Sequence, residues 1–225
     1  MSSSCLFKFW ELPSLSLRKT ASLIMEARDK SVARPKEFDQ EAALRRAIVA
    51  FARKGFAATS TDDLMNEMKV GRQSMYDTFG DKRALFLKAL KLYCGENLAA
   101  ISAELRKPGS PLANVRNALM QFTQRADIAP TDGCMGINAL CEFGLQDPEV
   151  LQAMLGQGNA EAQRRLLVAN LRRARAEGEL PEDADIMGLA DFFDTTLAGL
   201  RIAARGGKNR AELKRIAEIA CRAFQ

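Results

Sequence analysis

The feature that most constrains this chain is the spacing of its apolar residues, which recur at three- and four-residue intervals almost everywhere from Phe38 onward. Leu44, Ile48 and Phe51 stand at i, i+4 and i+7 and predict the face of one amphipathic helix. Gly55 marks its stop, with Phe56 folding back after it. Ser60, with Asp63 three residues on, approximates a capping box ahead of Leu64, Met65 and Met68. A break at Lys69-Val70-Gly71 separates this from a third piece, Arg72–Phe79, and Asp81 caps a long helix carrying Leu85, Ala89, Leu92 and Tyr93. Later breaks fall at 107–111, 129–133, 147–148, 178–181 and 206–209. Asp147 before Pro148 reads as an N-cap followed by an N1 proline, and Asn209 with Glu212 opens a last helix. No alternating β pattern of useful length occurs. The expected fold is all-α, with about nine helices.

The chain has 225 residues and no histidine. That excludes a Ser-His-Asp or Cys-His nucleophile, an HExxH zinc site and histidine acid–base chemistry near neutral pH. A chain of this length buries roughly 70–75% of its unfolded surface and needs no disulfide or metal to hold a core. Cys5, Cys94, Cys134, Cys141 and Cys221 are widely spaced with no CxxC, which points to a reducing, cytoplasmic setting. No cofactor or metal is expected. No apolar run approaches the roughly 18 residues of a membrane span. The apolar stretch Cys5–Leu17 is interrupted by Lys8, Glu11 and Pro13 and lacks a small-residue cleavage site, so it does not read as a signal peptide. Residues 1–33 read as a disordered arm, or as sequence ahead of a later start at Met25.

Three short helices, the last two joined by a three-residue turn, make a helix-turn-helix arrangement. Wound from Arg72, the third helix places Met75 and Phe79 on one face, able to dock on Leu64, Met68 and Phe51. The opposite face presents Arg72, Gln73, Tyr76 and Asp77, with Ser74 and Thr78 beside them. Arginine pairs with guanine, glutamine with adenine, and a carboxylate accepts from cytosine. Tyr76, Lys82 and the hydroxyls of Thr59, Ser60 and Thr61 suit phosphates. Bulk charge adds little. The formal net charge is +5 over the chain, but residues 34–82 hold nine basic against eight acidic side chains. Lys8, Arg18, Lys19, Arg28, Lys30, Arg34 and Lys36 would make a basic arm able to reach a minor groove.

The window Thr59-Ser60-Thr61-Asp62-Asp63-Leu64, then Val70-Gly71-Arg72-Gln73-Ser74-Met75-Tyr76-Asp77-Thr78-Phe79-Gly80-Asp81-Lys82, resembles the DNA-binding domain of TetR/AcrR-type transcriptional regulators. The likeness is closest at Tyr76-x-x-Phe79-x-x-Lys82-x-x-Leu85 and extends more loosely to Glu177-Gly178-Glu179-Leu180-Pro181 and the Gly206-Gly207 break. Lys69 departs from it, since that family usually places glycine in this turn. The resemblance implies a domain at 34–82 (motif about 60–79) for DNA and one at 83–225 for effector binding and dimerisation. It implies a cytoplasmic, nucleoid-associated homodimeric regulator, most simply a repressor, released from a palindromic double-stranded operator by a small-molecule effector of unknown identity.

Phe122, Cys134, Met135, Asn138, Cys141, Phe143, Phe192, Phe193 and Thr196 mix apolar and polar groups as a ligand pocket would. Leu189, Phe193, Thr196 and Leu200 form a stripe on the penultimate helix, and Leu213, Ile216 and Ala220 one on the last. These stripes are the expected subunit seam, closing a four-helix bundle about a two-fold axis. Two other readings remain open here: an all-α enzyme working through Glu142, Asp191 or Asp194, and a helical dimeric adaptor that binds no DNA.

Overall fold

Asp39 accepts the N–H of Ala42 and opens α1 (Gln40–Lys54). Gly55, at φ 80°, stops it, a conformation that costs glycine little. Ser60 and Asp63 complete a capping box on α2 (Thr61–Met68), and Gly71 leads into α3 (Arg72–Phe79). The computed structural model describes residues 39–124, 133–156 and 158–225. The predicted arm at 1–33, the arm residues Arg34 and Lys36, and most of the predicted break at 129–133 lie outside them.

Asp81 caps α4 (Lys82–Leu105), which is followed by α5 (Pro111–Gln124), α6 (Met135–Phe143) and α7 (Pro148–Leu155). Then come α8 (Asn159–Ala176), α9 (Ile186–Arg205) and α10 (Arg210–Ala220). Asp147 caps α7 through the N–H of Val150, ahead of Pro148, and Asn209 with Glu212 forms the capping box of α10. The described residues thus form ten α-helices and no strand. The helix beyond the nine expected arises where Gly156 (φ 60°) and Gly158 (φ 91°) separate α7 from α8. The apolar pattern runs on across that point, so periodicity alone reads one helix.

α1 buries the predicted Phe51 together with Ala43, Ala47 and Ala50, while the predicted Leu44 and Ile48 are only partly buried, because alanines let α2 and α4 approach closely. Leu64, Met68, Met75 and Phe79 complete this three-helix core as expected. α4 runs from it into a larger core built from α5, α8, α9 and α10, including Ile101, Leu119, Leu171, Phe193, Leu213 and Phe224. The Glu177–Pro181 segment serves that core: Leu180 is buried, and the Glu179 carboxylate accepts the N–H of Leu112 at the start of α5.

The expected subunit seam is corrected here. Phe193, Leu200 and Leu213 are buried inside the protomer, and Leu189 and Ala220 are partly buried against the same core. Ile216 is exposed. The outward apolar side chains of these two helices are Met187, Phe192 and Ile202 on α9, with the expected Ile216 and also Ile219 on α10. The longest apolar stripe of each helix satisfies its own protomer first, because that burial is intramolecular and needs no partner.

Candidate nucleic-acid interface

The connection between α2 and α3 is tight because Lys69 turns it in the left-handed region, at φ 58° and ψ 44°. It is the one non-glycine residue with positive φ among those described. An L-residue there costs about 1–2 kcal/mol relative to a right-handed conformation. The turn is therefore built as a glycine would build it. Arg46 steadies it by donating to the carbonyl of Met68 at 3.3 Å.

With Met75 and Phe79 buried, α3 presents Arg72, Gln73, Ser74, Tyr76 and Asp77 to solvent and leaves Thr78 half-buried. Two internal pairs hold this face in order. Arg72 Nη2 donates to Asp62 Oδ1 at 2.8 Å, and Gln73 Nε2 donates to Asp77 Oδ1 at 2.7 Å. All four groups are exposed, so these are weak contacts that a stronger acceptor displaces. Gly71 gives α3 no side-chain cap, which leaves the first amides of the helix for an external acceptor.

The predicted phosphate contacts divide. Thr59 is fully buried and its hydroxyl donates to the carbonyl of Gly55, so it cannot reach a phosphate. The Ser60 hydroxyl accepts from the Asp63 N–H and donates to Asp63 Oδ2 at 2.8 Å, which commits it to the cap. Asp63 is itself paired with Lys54 at 2.7 Å, and these contacts hold its carboxyl well below the usual range. Thr61 is half-buried at the first turn of α2. Lys82, half-buried at the start of α4, lies over the Phe56 ring at 4.5 Å with its ammonium 3.5 Å from the carbonyl of Ala57.

Behind this face, α6 reaches back to the end of α1. Asn138 Nδ2 donates to the carbonyls of Ala52 (2.8 Å) and Phe51 (3.3 Å), and Arg205 Nη1 donates to Ala52 at 3.1 Å. The Glu142 carboxylate accepts the N–H groups of Phe56 and Ala57, each at 2.8 Å. Phe51, Phe56, Phe86 and Phe143 pack as one aromatic cluster joining α1, α4 and α6, with centroid separations of 4.9 to 5.6 Å for the closer pairs. Sequence reasoning missed this strap. No local pattern marks it, since each of its hydrogen bonds spans more than eighty residues.

Several predicted pocket residues therefore have other places. Asn138 and Phe143 belong to the strap. Cys141 is exposed, Phe193 is a core residue, and Phe192 lies at the surface against Phe224. Met135 is fully buried and Thr196 half-buried. Cys134 is the N-cap residue of α6, and its sulfur accepts the Tyr93 O–H at 3.3 Å. Phe122 does line a void, between α4, α5 and α9. The carboxylates weighed for catalysis are tied into structure: Glu142 by backbone amides, Asp191 and Asp194 by Arg164.

The sequence profile described as "Bacterial regulatory proteins, tetR family" matches residues 43–89, and that described as "Tetracyclin repressor-like, C-terminal domain" matches residues 111–220. The chain belongs to the TetR family. It is similar to the HTH-type transcriptional regulator YezE of Bacillus subtilis, at 34% identity over 174 residues, covering 76% of this chain and 89% of that protein. Its similarity to the HTH-type transcriptional repressor ComR of Escherichia coli is 31% over 193 residues, covering 84% and 90%. Among solved structures it resembles the TetR-family transcriptional regulator CifR, a cysteine mutant complexed with 26-base-pair operator DNA. That match has 30% identity and a TM-score of 0.65, over 85% of this chain and 100% of that one. This TetR-family chain is a DNA-binding transcriptional regulator, not an enzyme. Among the described residues no helix is long and apolar enough to cross a membrane.

Proposed function

We propose that this TetR-family protein is a cytoplasmic repressor that binds a palindromic operator as a homodimer and leaves it when a small-molecule effector binds. The observation that carries the reading is the ordered polar face of α3, where Arg72, Gln73, Ser74, Tyr76, Asp77 and Thr78 surround two buried anchors, Met75 and Phe79. Arg72 and Gln73 have the fork-shaped donors that read guanine and adenine edges, and Asp77 offers an acceptor for cytosine. Release works by linkage. An effector favouring one placement of α6 alters the strap at Asn138 and Glu142, and with it the seat of α1 under the recognition helix. Recognition helices that no longer match successive major grooves lose affinity.

A mobility-shift assay against DNA flanking the protein's own gene tests this. Arg72→Ala and Gln73→Ala should each weaken the cognate site by ~1–3 kcal/mol while leaving random DNA nearly unaffected. Lys82→Ala should weaken all sequences alike and lower the salt slope by about one phosphate. Equal losses on operator and random DNA in the first two variants would show that α3 does not read bases.

A further inference from the structure

The larger helical unit carries a half-buried arginine, Arg201, beside a small void. Asn97 and Ile101 from α4, Gln121 and Phe122 from α5, and Leu197 and Arg201 from α9 line this void. Only about 10 Å3 of it has room for a water-sized sphere. The Arg201 guanidinium lies over the Phe122 ring, 5.8 Å from its centroid. It makes no hydrogen bond or ion pair with any other described residue. By contrast Arg164 is engaged by Asp191 and Asp194, Arg205 by the carbonyl of Ala52, and Arg116 by the carbonyl of Phe224, with the Arg116 Nε buried and unpartnered. Asp194, two turns before Arg201 on the same helix, is thus already engaged.

The α4 side of this region offers no negative charge. Burial pushes the Cys94 thiol up to about 12, and burial together with the neighbouring Cys134 raises the Tyr93 phenol well above its ordinary range. Both are neutral at physiological pH. Arg201 is half-buried, so its guanidinium keeps donors that water or an anionic ligand can take.

Resting on the repressor reading above, we propose that Arg201 anchors the effector, and that the effector is a small organic carboxylic acid bound as its anion. The planar fork of arginine matches a carboxylate in two parallel hydrogen bonds. Gln121 lines the same void, and Ile101, Phe122 and Leu197 receive the apolar body. The void is small, so the acid is small, and admitting it displaces side chains between α4 and α9. Four residues beyond Arg201, one turn along the same helix face, Arg205 holds Ala52 at the end of α1. Occupation of Arg201 therefore bears on the helix turn that grips the DNA-binding helices.

The test uses the full-length protein and a panel of sodium salts from butanoate to decanoate, with benzoate and phenylacetate, each paired with its primary amide. Calorimetry or ligand-observed NMR reads binding, and mobility shift reads operator release. At least one acid should bind and release operator, while its amide and the Arg201→Met variant respond about tenfold to a hundredfold more weakly. Arg201→Lys should recover part of the affinity, because it restores charge without the fork. Binding of no acid, equal binding of acid and amide, or unchanged acid affinity in Arg201→Met would each overturn the proposal. So would a response to phosphate monoesters in place of acids. Operator binding without any ligand separates the two failures: if wild type and Arg201→Met both bind operator, only the ligand class is at stake. If wild type binds no DNA specifically, the repressor reading has failed.

Discussion

Glu142 and Phe56 stand 86 residues apart in sequence and are joined by one hydrogen bond of 2.8 Å, the Phe56 N–H donating to Glu142 Oε1. The next amide, Ala57 N–H, donates to Oε2 at the same distance, so one carboxylate spans the turn between α1 and α2. Gly55 permits this closeness. A Cβ at that position would fall 2.0 Å from Glu142 Oε1.

Removing the fork should loosen the DNA-binding helices from α6. Glu142→Ala is expected to cost ~1–2 kcal/mol in denaturant unfolding, since two charge-assisted hydrogen bonds are lost at a partly hydrated edge. Gly55→Ala should cost more, combining the strain of positive φ with displacement of the carboxylate. In the double variant the two costs should add to less than their sum, because only the strain remains once the carboxylate is gone. Strict additivity would mean that the fork does not act through Gly55.

The left-handed Lys69 predicts a stabilising change. Lys69→Gly relieves ~1–2 kcal/mol of strain, while glycine's greater unfolded-state freedom takes back ~0.5–1 kcal/mol. A net gain of about 0.5–1 kcal/mol should appear as a higher melting temperature. A lower one would show that the lysine side chain itself holds the turn.

The proposed homodimer contact can be separated from the protomer core by mutation. Ile202→Glu or Ile219→Glu, on the outward faces of α9 and α10, should give a folded monomer by light scattering. Leu213→Ala should instead lower protomer stability by ~2–5 kcal/mol, because that side chain is packed inside. A dimer unaffected by both charged variants would place the interface elsewhere.

Thiol reactivity should follow exposure and ionisation. Burial pushes the Cys94 thiol up to about 12, so it stays protonated at pH 8 and becomes thiolate only as pH climbs toward that value. Cys141 is exposed, and Cys134 is buried with the Tyr93 hydroxyl on its sulfur. Alkylation by iodoacetamide, followed by peptide mass spectrometry, should therefore modify Cys141 first among the four described cysteines. Early labelling of Cys94 would mean that α4 and α6 part readily in solution.

Sequence alone determined what depends on neighbours within a turn or two of helix. The caps at Ser60, Asp81, Asp147 and Asn209, the limits of α3, and its division into a buried Met75–Phe79 edge and a polar face are all local. They are set by hydrogen bonds three residues long and by a period of 3.6. The family resemblance also singled out Lys69, which stands where glycine is usual. What only the tertiary structure decided is which of two apolar faces a helix turns inward, and which distant groups meet. Phe193, Leu200 and Leu213 went to the protomer core and left Ile202 and Ile219 outside. Thr59 was buried by the turn that follows Gly55. Asn138 and Glu142 were drawn to the end of α1 and not to a ligand pocket. Hydrophobic burial has no direction of its own, so periodicity reports that a stripe will be covered but not by what. The covering partner is chosen when helices far apart in the chain come to share one core.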